Sequence, residues 1–292
     1  MESSHAAGLS LVWIAKAATL GALVFQFLEF FSQFVDEIEY LWKSRIRLIT
    51  CLYAWCRYFP LCGQIVNLVF AEMVHNSPSA RLCMTAFILK AITAQLTTIC
   101  VEAILMVRVH ALYNNSRRSG ILLLLVLLFG TILEVTGAVL SLANLEPGIG
   151  GTICTPAPCS PLHLALFAIG CGLIQGVTLF MTGLRIYFSR KRGWTRTPVV
   201  SLMLRDGVSI FVLLAVIISS LIGFEVVHRL GDGVLVWDAA YAWYVSLVSI
   251  SGCRMILSMR KLGARHPRNR QPDEDSLLEF STIIYSEELC RG

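Results

Sequence analysis

Seven apolar stretches, each long enough to cross a lipid bilayer, constrain this chain more than any motif in it. They cover residues 10–31, 47–70, 83–107, 120–142, 162–186, 207–227 and 234–256. A crossing takes about 20 mostly apolar residues, and a chain segment in lipid must satisfy its own backbone hydrogen bonds, as a helix does. The expected fold is therefore an all-α membrane protein, a seven-transmembrane helix bundle filling residues 1–260. With 56% hydrophobic residues, 15% charged residues and a mean hydropathy of +0.69, the chain lies outside the balance of soluble domains. That composition excludes disorder, nucleic-acid binding and most soluble enzyme classes.

The fourth stretch is the strongest, because Ile121–Phe129 is unbroken, and the second is the weakest, because it contains Arg57 and Pro60. Breaker clusters such as Asn76-Ser77-Pro78, Glu146-Pro147-Gly148 and Gly231-Asp232-Gly233 separate the runs. The first stretch has no Lys or Arg before it and no small-residue cleavage site, so it reads as a retained span and not as a signal peptide. Over residues 33–45, Phe34, Ile38, Leu41 and Trp42 share one helical face while Asp36, Glu37, Glu39, Lys43 and Arg45 take the rest. This suits a short helix lying in the membrane interface, with a polar linker as the alternative.

Cytoplasmic loops are enriched in Lys and Arg. With these seven spans, eighteen of the 24 basic residues fall on one side, in the groups Lys43 to Arg47, Arg108 to Arg118, Arg185 to Arg205 and Arg260 to Arg291. Only Arg81 and Arg229 fall on the other, and Lys16, Arg57, Lys90 and Arg254 lie within spans. The split places the N-terminus outside and the C-terminus in the cytoplasm, in the plasma membrane or an endomembrane. Asn114-Asn115-Ser116 matches the glycosylation pattern, but it falls on the cytoplasmic side and is expected to stay unmodified.

An ionisable group in the hydrocarbon costs about 2.5–3.5 kcal/mol on insertion scales, so it faces the bundle interior or a partner. The candidate intramembrane polar site is Arg57, Gln64, Asn67, Lys90, Glu102 and Glu134. On the second span Thr50, Tyr53, Arg57, Gln64 and Asn67 form one stripe. On the third, Lys90, Thr93 and Thr97 lie on one face and Gln95 and Glu102 on another, which places that helix at the centre of the bundle. Glu134 shares its helix with Gly130, Thr131, Gly137 and Ser141, a small-residue face that permits close approach. Lys90 and Glu134 both lie about 11 Å below the outer ends of their spans. They are placed to form an ion pair, either as the floor of an outward-facing pocket or as a packing device.

The chemistry of known intramembrane catalysts is missing. There is no His-Glu-x-x-His, no pair of Asp within spans and no Lys in the last span for a retinal Schiff base. No metal motif, cofactor motif or catalytic constellation is legible, and the chain is not expected to be an enzyme. Gly172 and Gly176 read as a packing pair. The expected role is that of a receptor-like ligand-binding seven-helix protein, whose partners are the lipid bilayer, an unknown ligand and an unknown cytoplasmic partner, with no nucleic acid. The alternative is a carrier or channel for a small solute, although the sequence shows none of the internal repeats of common transporters.

Of ten cysteines, six lie within spans and Cys290 faces the reducing cytoplasm. Cys83, Cys154 and Cys159 fall on the outer side, where oxidation is permitted. A bridge from Cys83 to Cys154 or Cys159 would pin the loop 143–161 across the bundle mouth; a local Cys154–Cys159 bridge and three free thiols are the alternatives.

Asp36-Glu37-Ile38-Glu39-Tyr40-Leu41-Trp42-Lys43 followed by Arg57-Tyr58-Phe59-Pro60 resembles the pattern of a large fungal family. The likeness continues in Glu102-Ala103-Ile104-Leu105-Met106-Val107-Arg108, Ala111-Leu112-Tyr113-Asn114, Ser116-Arg117-Arg118, Arg205-Asp206-Gly207 and Arg254. The family comprises uncharacterised multispanning membrane proteins of basidiomycetes and is defined by an N-terminal domain of unknown function. The resemblance implies a fungal membrane protein and brings no known activity. Where the family's first block opens with a Tyr-Asp pair, this chain has Leu28-Glu29. Similarity to G-protein-coupled receptors is limited to topology, since no acidic residue precedes Arg108 and the last span has no Asn-Pro pair. The tail 261–292, with Pro267, Pro272 and many charges, reads as disordered, and Asp273-Glu274-Asp275-Ser276-Leu277-Leu278 matches an acidic dileucine sorting signal.

Overall fold

A computed structural model describes residues 2–42, 48–76, 79–113, 116–143, 148–150, 153–155, 161–191 and 233–265, with Val212 and Val216 as isolated helical positions. Nearly all of these residues are helical. The helices are α1 (Glu2–Glu37), α2 (Leu48–Asn76), α3 (Ala80–Leu112), α4 (Arg117–Ala143), α5 (Pro161–Lys191) and α6 (Gly233–Arg265). Two short antiparallel strands, β1 (Gly148–Gly150) and β2 (Ile153–Thr155), form a hairpin between α4 and α5 with Ile149 opposite Cys154. The hairpin is a small departure from the all-helical expectation.

Five helical segments are long and apolar enough to cross a membrane: Lys16–Trp42, Ala80–Leu112, Arg117–Ala143, Ala165–Arg185 and Asp238–Lys261. α2 is long enough at 29 residues, but Arg57, Gln64 and Asn67 lower its average hydropathy and it is not among the five. Pro60 sits inside α2 without ending it, as lipid-embedded helices tolerate. The expected span 207–227, the Asn114-Asn115 pair of the glycosylation pattern and the dileucine pattern lie outside the described residues. α6 continues to Arg265, so the first residues assigned to a disordered tail are helical.

Over 33–42, the described part of the segment 33–45, no separate interfacial helix forms. α1 runs without a break to Glu37 and closes in a π-helical turn, Ile38–Trp42. The segment's polar residues find partners that keep the helix going: Asp36 meets Lys261 at 2.5 Å and Glu37 meets Arg57 at 3.0 Å. At the start of α3, Ser79 caps the helix by accepting a hydrogen bond from Leu82 N at 3.3 Å, which satisfies one otherwise orphaned amide.

Interhelical contacts fix the direction of each helix. α1 and α2 are antiparallel, with Lys16 beside Glu72 and Glu37 beside Arg57. α2 and α3 are antiparallel as well, with Gly63 against Thr93 and Leu52 against Cys100. α4 returns along α3, placing Glu134 at Gln95 and Gly120 at His110. α5 returns along α4 and runs parallel to α3, with Cys171 at Glu102 and Tyr113 bonded to Met181 O. α6 is parallel to α3, through Lys90 with Asp238, Thr98 with Tyr244 and Arg108 with Met255. It is also parallel to α1, where Gln26 meets Ser249, Glu29 meets Arg254 and Asp36 meets Lys261.

α3 is the central helix, packed against α2, α4, α5 and α6. Its contacts with α2 and α6 hold one apolar core, built on Tyr53, Cys56, Val101, Ile104, Val245, Val248 and Met255. A second core, Met106, Val109, Leu123 and Ile174, joins α3 to α4 and α5. Leu124, Leu125, Leu128, Phe129 and Ile132 of α4 point outward, as expected of a lipid-facing surface.

Candidate intramembrane polar sites

The six polar residues singled out within the spans separate into distinct clusters. Arg57 belongs to an inner network between α1 and α2. Its Nε lies 3.0 Å from Glu37 Oε2, with the side chains 5% and 0% exposed. Its other nitrogens donate to Tyr53 OH at 2.8 Å and Phe30 O at 2.6 Å. Tyr58 OH and Trp42 Nε1 both donate to Glu37 Oε1 at 3.0 Å, and the guanidinium lies 4.4 Å from the Phe30 ring centroid. A charge pair this dry depends on such neighbouring partners, because unmet charge in low dielectric is costly.

Gln64 anchors a second network across α2, α6 and α1. It donates to Ser246 Oγ at 2.8 Å and Ala242 O at 3.2 Å. Ser246 Oγ faces Ala22 O at 3.2 Å, Gln26 donates to Ser249 Oγ at 3.4 Å, and Ser249 donates to Cys56 O at 2.7 Å. Asn67 is buried one turn further along, and its Oδ1 has no hydrogen-bond donor among the described residues.

The expected Lys90–Glu134 pair does not form. Lys90 Nζ lies 2.5 Å from Asp238 Oδ1, joining α3 to α6. The reason lies in the faces of α3: at 100° per residue Lys90 points roughly 120–140° away from Gln95 and Glu102, so it cannot reach α4 on their side. Glu134 instead accepts a hydrogen bond from Gln95 Nε2 at 2.8 Å and meets Glu102 and Cys171.

That meeting is the third cluster. Glu102 of α3, Glu134 of α4 and Cys171 of α5 are 0%, 0% and 1% exposed, and one donor atom from each lies within 4.8 Å of the others. Glycines make it possible. A Cβ at Gly170 would come within 2.7 Å of Gly130 O and 2.8 Å of Glu134 Cγ, and one at Gly137 within 2.8 Å of His163 O. The seam is therefore Gly130, Gly137 and Gly170. Among the described residues, a Cβ added at Gly172 or Gly176, expected to be the packing pair, would meet nothing within 4 Å.

Two small cavities of about 20 Å³ flank these clusters. One is lined by Gln26, Glu29, Arg57 and Cys253 among others. The second, lined by Leu105, Arg108, Gln175, Thr178 and Thr182, begins one helical turn beyond Glu102 and Cys171. Each has room for about one water.

Among the described cysteines, Cys51, Cys56, Cys62, Cys100, Cys171 and Cys253 are free, while Cys83 is disulfide-bonded. The side chains of Cys154 and Cys159 lie outside the described residues.

Sequence reasoning missed Glu37, Asp238 and Cys171. Glu37 was hidden in a segment read as interfacial, Asp238 sits only a turn inside its span, and Cys171 carries no local signal. Glu29, the residue at the departure Leu28-Glu29, forms two bonds to Arg254, at 2.6 and 2.9 Å.

Residues 17–62 match a family of unknown function, DUF6533. No curated protein and no solved structure matches the chain. The matched segment contains Glu29, Glu37, Arg57 and the whole of their inner network except Arg254.

Proposed function

We propose that the chain is a seven-span integral membrane protein, with the N-terminus outside and a cytoplasmic C-terminus, that acts as a receptor-like ligand-binding bundle. One observation carries the span count: α5 and α6 run in the same direction, since both are parallel to α3. Two consecutive helices of one direction call for an intervening crossing, and the apolar run 207–227 supplies a stretch of the right length. α2, antiparallel to both α1 and α3, counts as a crossing on the same ground. The lopsided Lys and Arg distribution favours the stated orientation.

The binding role rests on α3, which presents polar groups to α2 and α6 on one face and to α4 and α5 on the other. A helix polar on two sides at the centre of a bundle is organised for interior contacts beyond lipid packing. We read the protein as fungal, as non-enzymatic, and as acting in the plasma membrane or an endomembrane. Its ligand and cytoplasmic partner are of unstated chemistry. Nucleic acid is not among its partners.

A thermal-shift screen on the purified protein tests the binding role, since a ligand that binds the folded state raises its stability. Solute flux into reconstituted vesicles would replace this role with the carrier reading. Protease digestion of the C-terminal tail from outside sealed cells would overturn the orientation.

A further inference from the structure

Five described acids each meet a base: Glu29 with Arg254, Asp36 with Lys261, Glu37 with Arg57, Glu72 with Lys16 and Asp238 with Lys90. Glu102 and Glu134 meet none among the described residues, although both are fully buried and face each other. Glu102 Oε1 accepts from Cys171 Sγ at 3.7 Å and Glu134 Oε2 from Gln95 Nε2 at 2.8 Å, while Glu102 Oε2 and Glu134 Oε1 have no hydrogen-bond donor among the described residues. Two such acids in a low-dielectric interior are stable either as neutral carboxyl groups or against a compensating positive charge. A third donor, Cys171 Sγ, closes the cluster from α5.

The donor set and one of its spacings are compatible with a particular class of cation. Zinc-like ions bind thiolate sulfur at about 2.3 Å and carboxylate oxygen at about 2.0–2.2 Å, and a tetrahedral angle then separates sulfur and oxygen by about 3.6 Å. Cys171 Sγ lies 3.7 Å from Glu102 Oε1. The sulfur also discriminates by hardness: thiolate suits borderline-soft ions, whereas calcium and magnesium take oxygen ligands. Gln95, bonded to Glu134 Oε2 at 2.8 Å, has the position of an outer-shell residue that orients a ligand carboxylate.

We propose that Glu102, Glu134 and Cys171 form an intramembrane site for a divalent transition-metal ion of the zinc class. On binding, Cys171 and one of the two acids each release a proton to solvent, so the ion's two charges balance one thiolate and one carboxylate. The other acid keeps its proton and coordinates through its carbonyl oxygen, and the fourth position is open to a water such as the neighbouring cavity admits. The site holds its ion whether the bundle is a receptor or a carrier.

The test uses Co²⁺ as a spectroscopic probe on the full-length protein, purified in detergent and first stripped with a chelator. The expected result is one equivalent bound, with a thiolate-to-cobalt charge-transfer band and tetrahedral d–d bands, all displaced by Zn²⁺. Cys171→Ala should abolish the charge-transfer band. Glu102→Gln and Glu134→Gln, combined in one chain so that no carboxylate is left, should weaken Co²⁺ binding by more than the roughly tenfold loss typical of an outer-shell partner. The Gln variants keep side-chain volume and remove buried charge, and helical circular dichroism checks that they fold. A folded wild-type chain that gives no band, or a band that survives Cys171→Ala, overturns the site. Either result leaves the ligand-binding reading standing, because that is decided by ligand stabilisation and flux.

Discussion

Arg57 and Glu37 lie 3.0 Å apart, Nε to Oε2, where the end of α1 meets α2, and both side chains are buried. Removing one partner leaves the other charge buried and unpaired, which typically costs about 3–5 kcal/mol. Arg57→Met should lower stability by that order, measured as unfolding of the purified protein in detergent. The double variant Arg57→Met/Glu37→Gln should be the more stable of the two. A double variant as unstable as Arg57→Met would show that the guanidinium acts through Tyr53 and Phe30 O and not through Glu37.

Lys90 should couple to Asp238 and not to Glu134. In a double-mutant cycle, Lys90→Ala with Asp238→Asn should show an interaction energy of roughly 0.5–1 kcal/mol, modest because both side chains retain some exposure. The cycle of Lys90→Ala with Glu134→Gln should be additive within about 0.5 kcal/mol. Coupling to Glu134 would restore the depth-matching argument and contradict the packing of α3.

That contrast shows what the sequence could and could not reveal. Helical period alone places Thr50, Tyr53, Arg57, Gln64 and Asn67 on one stripe, and all five are buried. It also separates Lys90 from Gln95 and Glu102 on α3, and the two faces do meet different helices. Depth in the membrane is legible too, but depth leaves open which neighbour lies at that level. Asp238 and Glu134 are both reachable levels for Lys90, and the choice is made by packing across distant segments. The length of α1 escapes the sequence for a related reason: Asp36 and Glu37 look like interfacial charges until Lys261 and Arg57 arrive from other helices to neutralise them.

Helix association in lipid depends on close packing, since lipid tails compete for apolar contact. Gly170→Ala should therefore be destabilising by about 1–3 kcal/mol, the usual cost of overpacking, because its Cβ would strike Gly130 O and Glu134 Cγ. Gly172→Ala, two residues away, where a Cβ would meet nothing within 4 Å among the described residues, is the control and should be neutral or slightly stabilising through helix propensity. Equal effects of the two substitutions, read by thermal unfolding, would place the α4–α5 seam elsewhere.

Cys83 is bonded through its sulfur, and the six other described cysteines are free. Only Cys154, Cys159 and Cys290 are left as partners. The proposed orientation puts Cys83 on the outer side with Cys154 and Cys159, and Cys290 on the reducing side, where disulfides do not persist. A bridge to Cys154 or Cys159 closes a loop of about 70 residues, for which the chain-entropy relation gives about 4 kcal/mol, and measured values commonly fall nearer 2–4 kcal/mol. Non-reducing peptide mapping of natively expressed protein should link the Cys83 peptide to one containing Cys154 or Cys159, and reduction should lower the unfolding temperature. Recovery of Cys83 as an alkylated thiol would remove the bridge. A link to Cys290 would be the more damaging result, because it would place the tail on the same side as the start of α3 and break the orientation that the basic residues support.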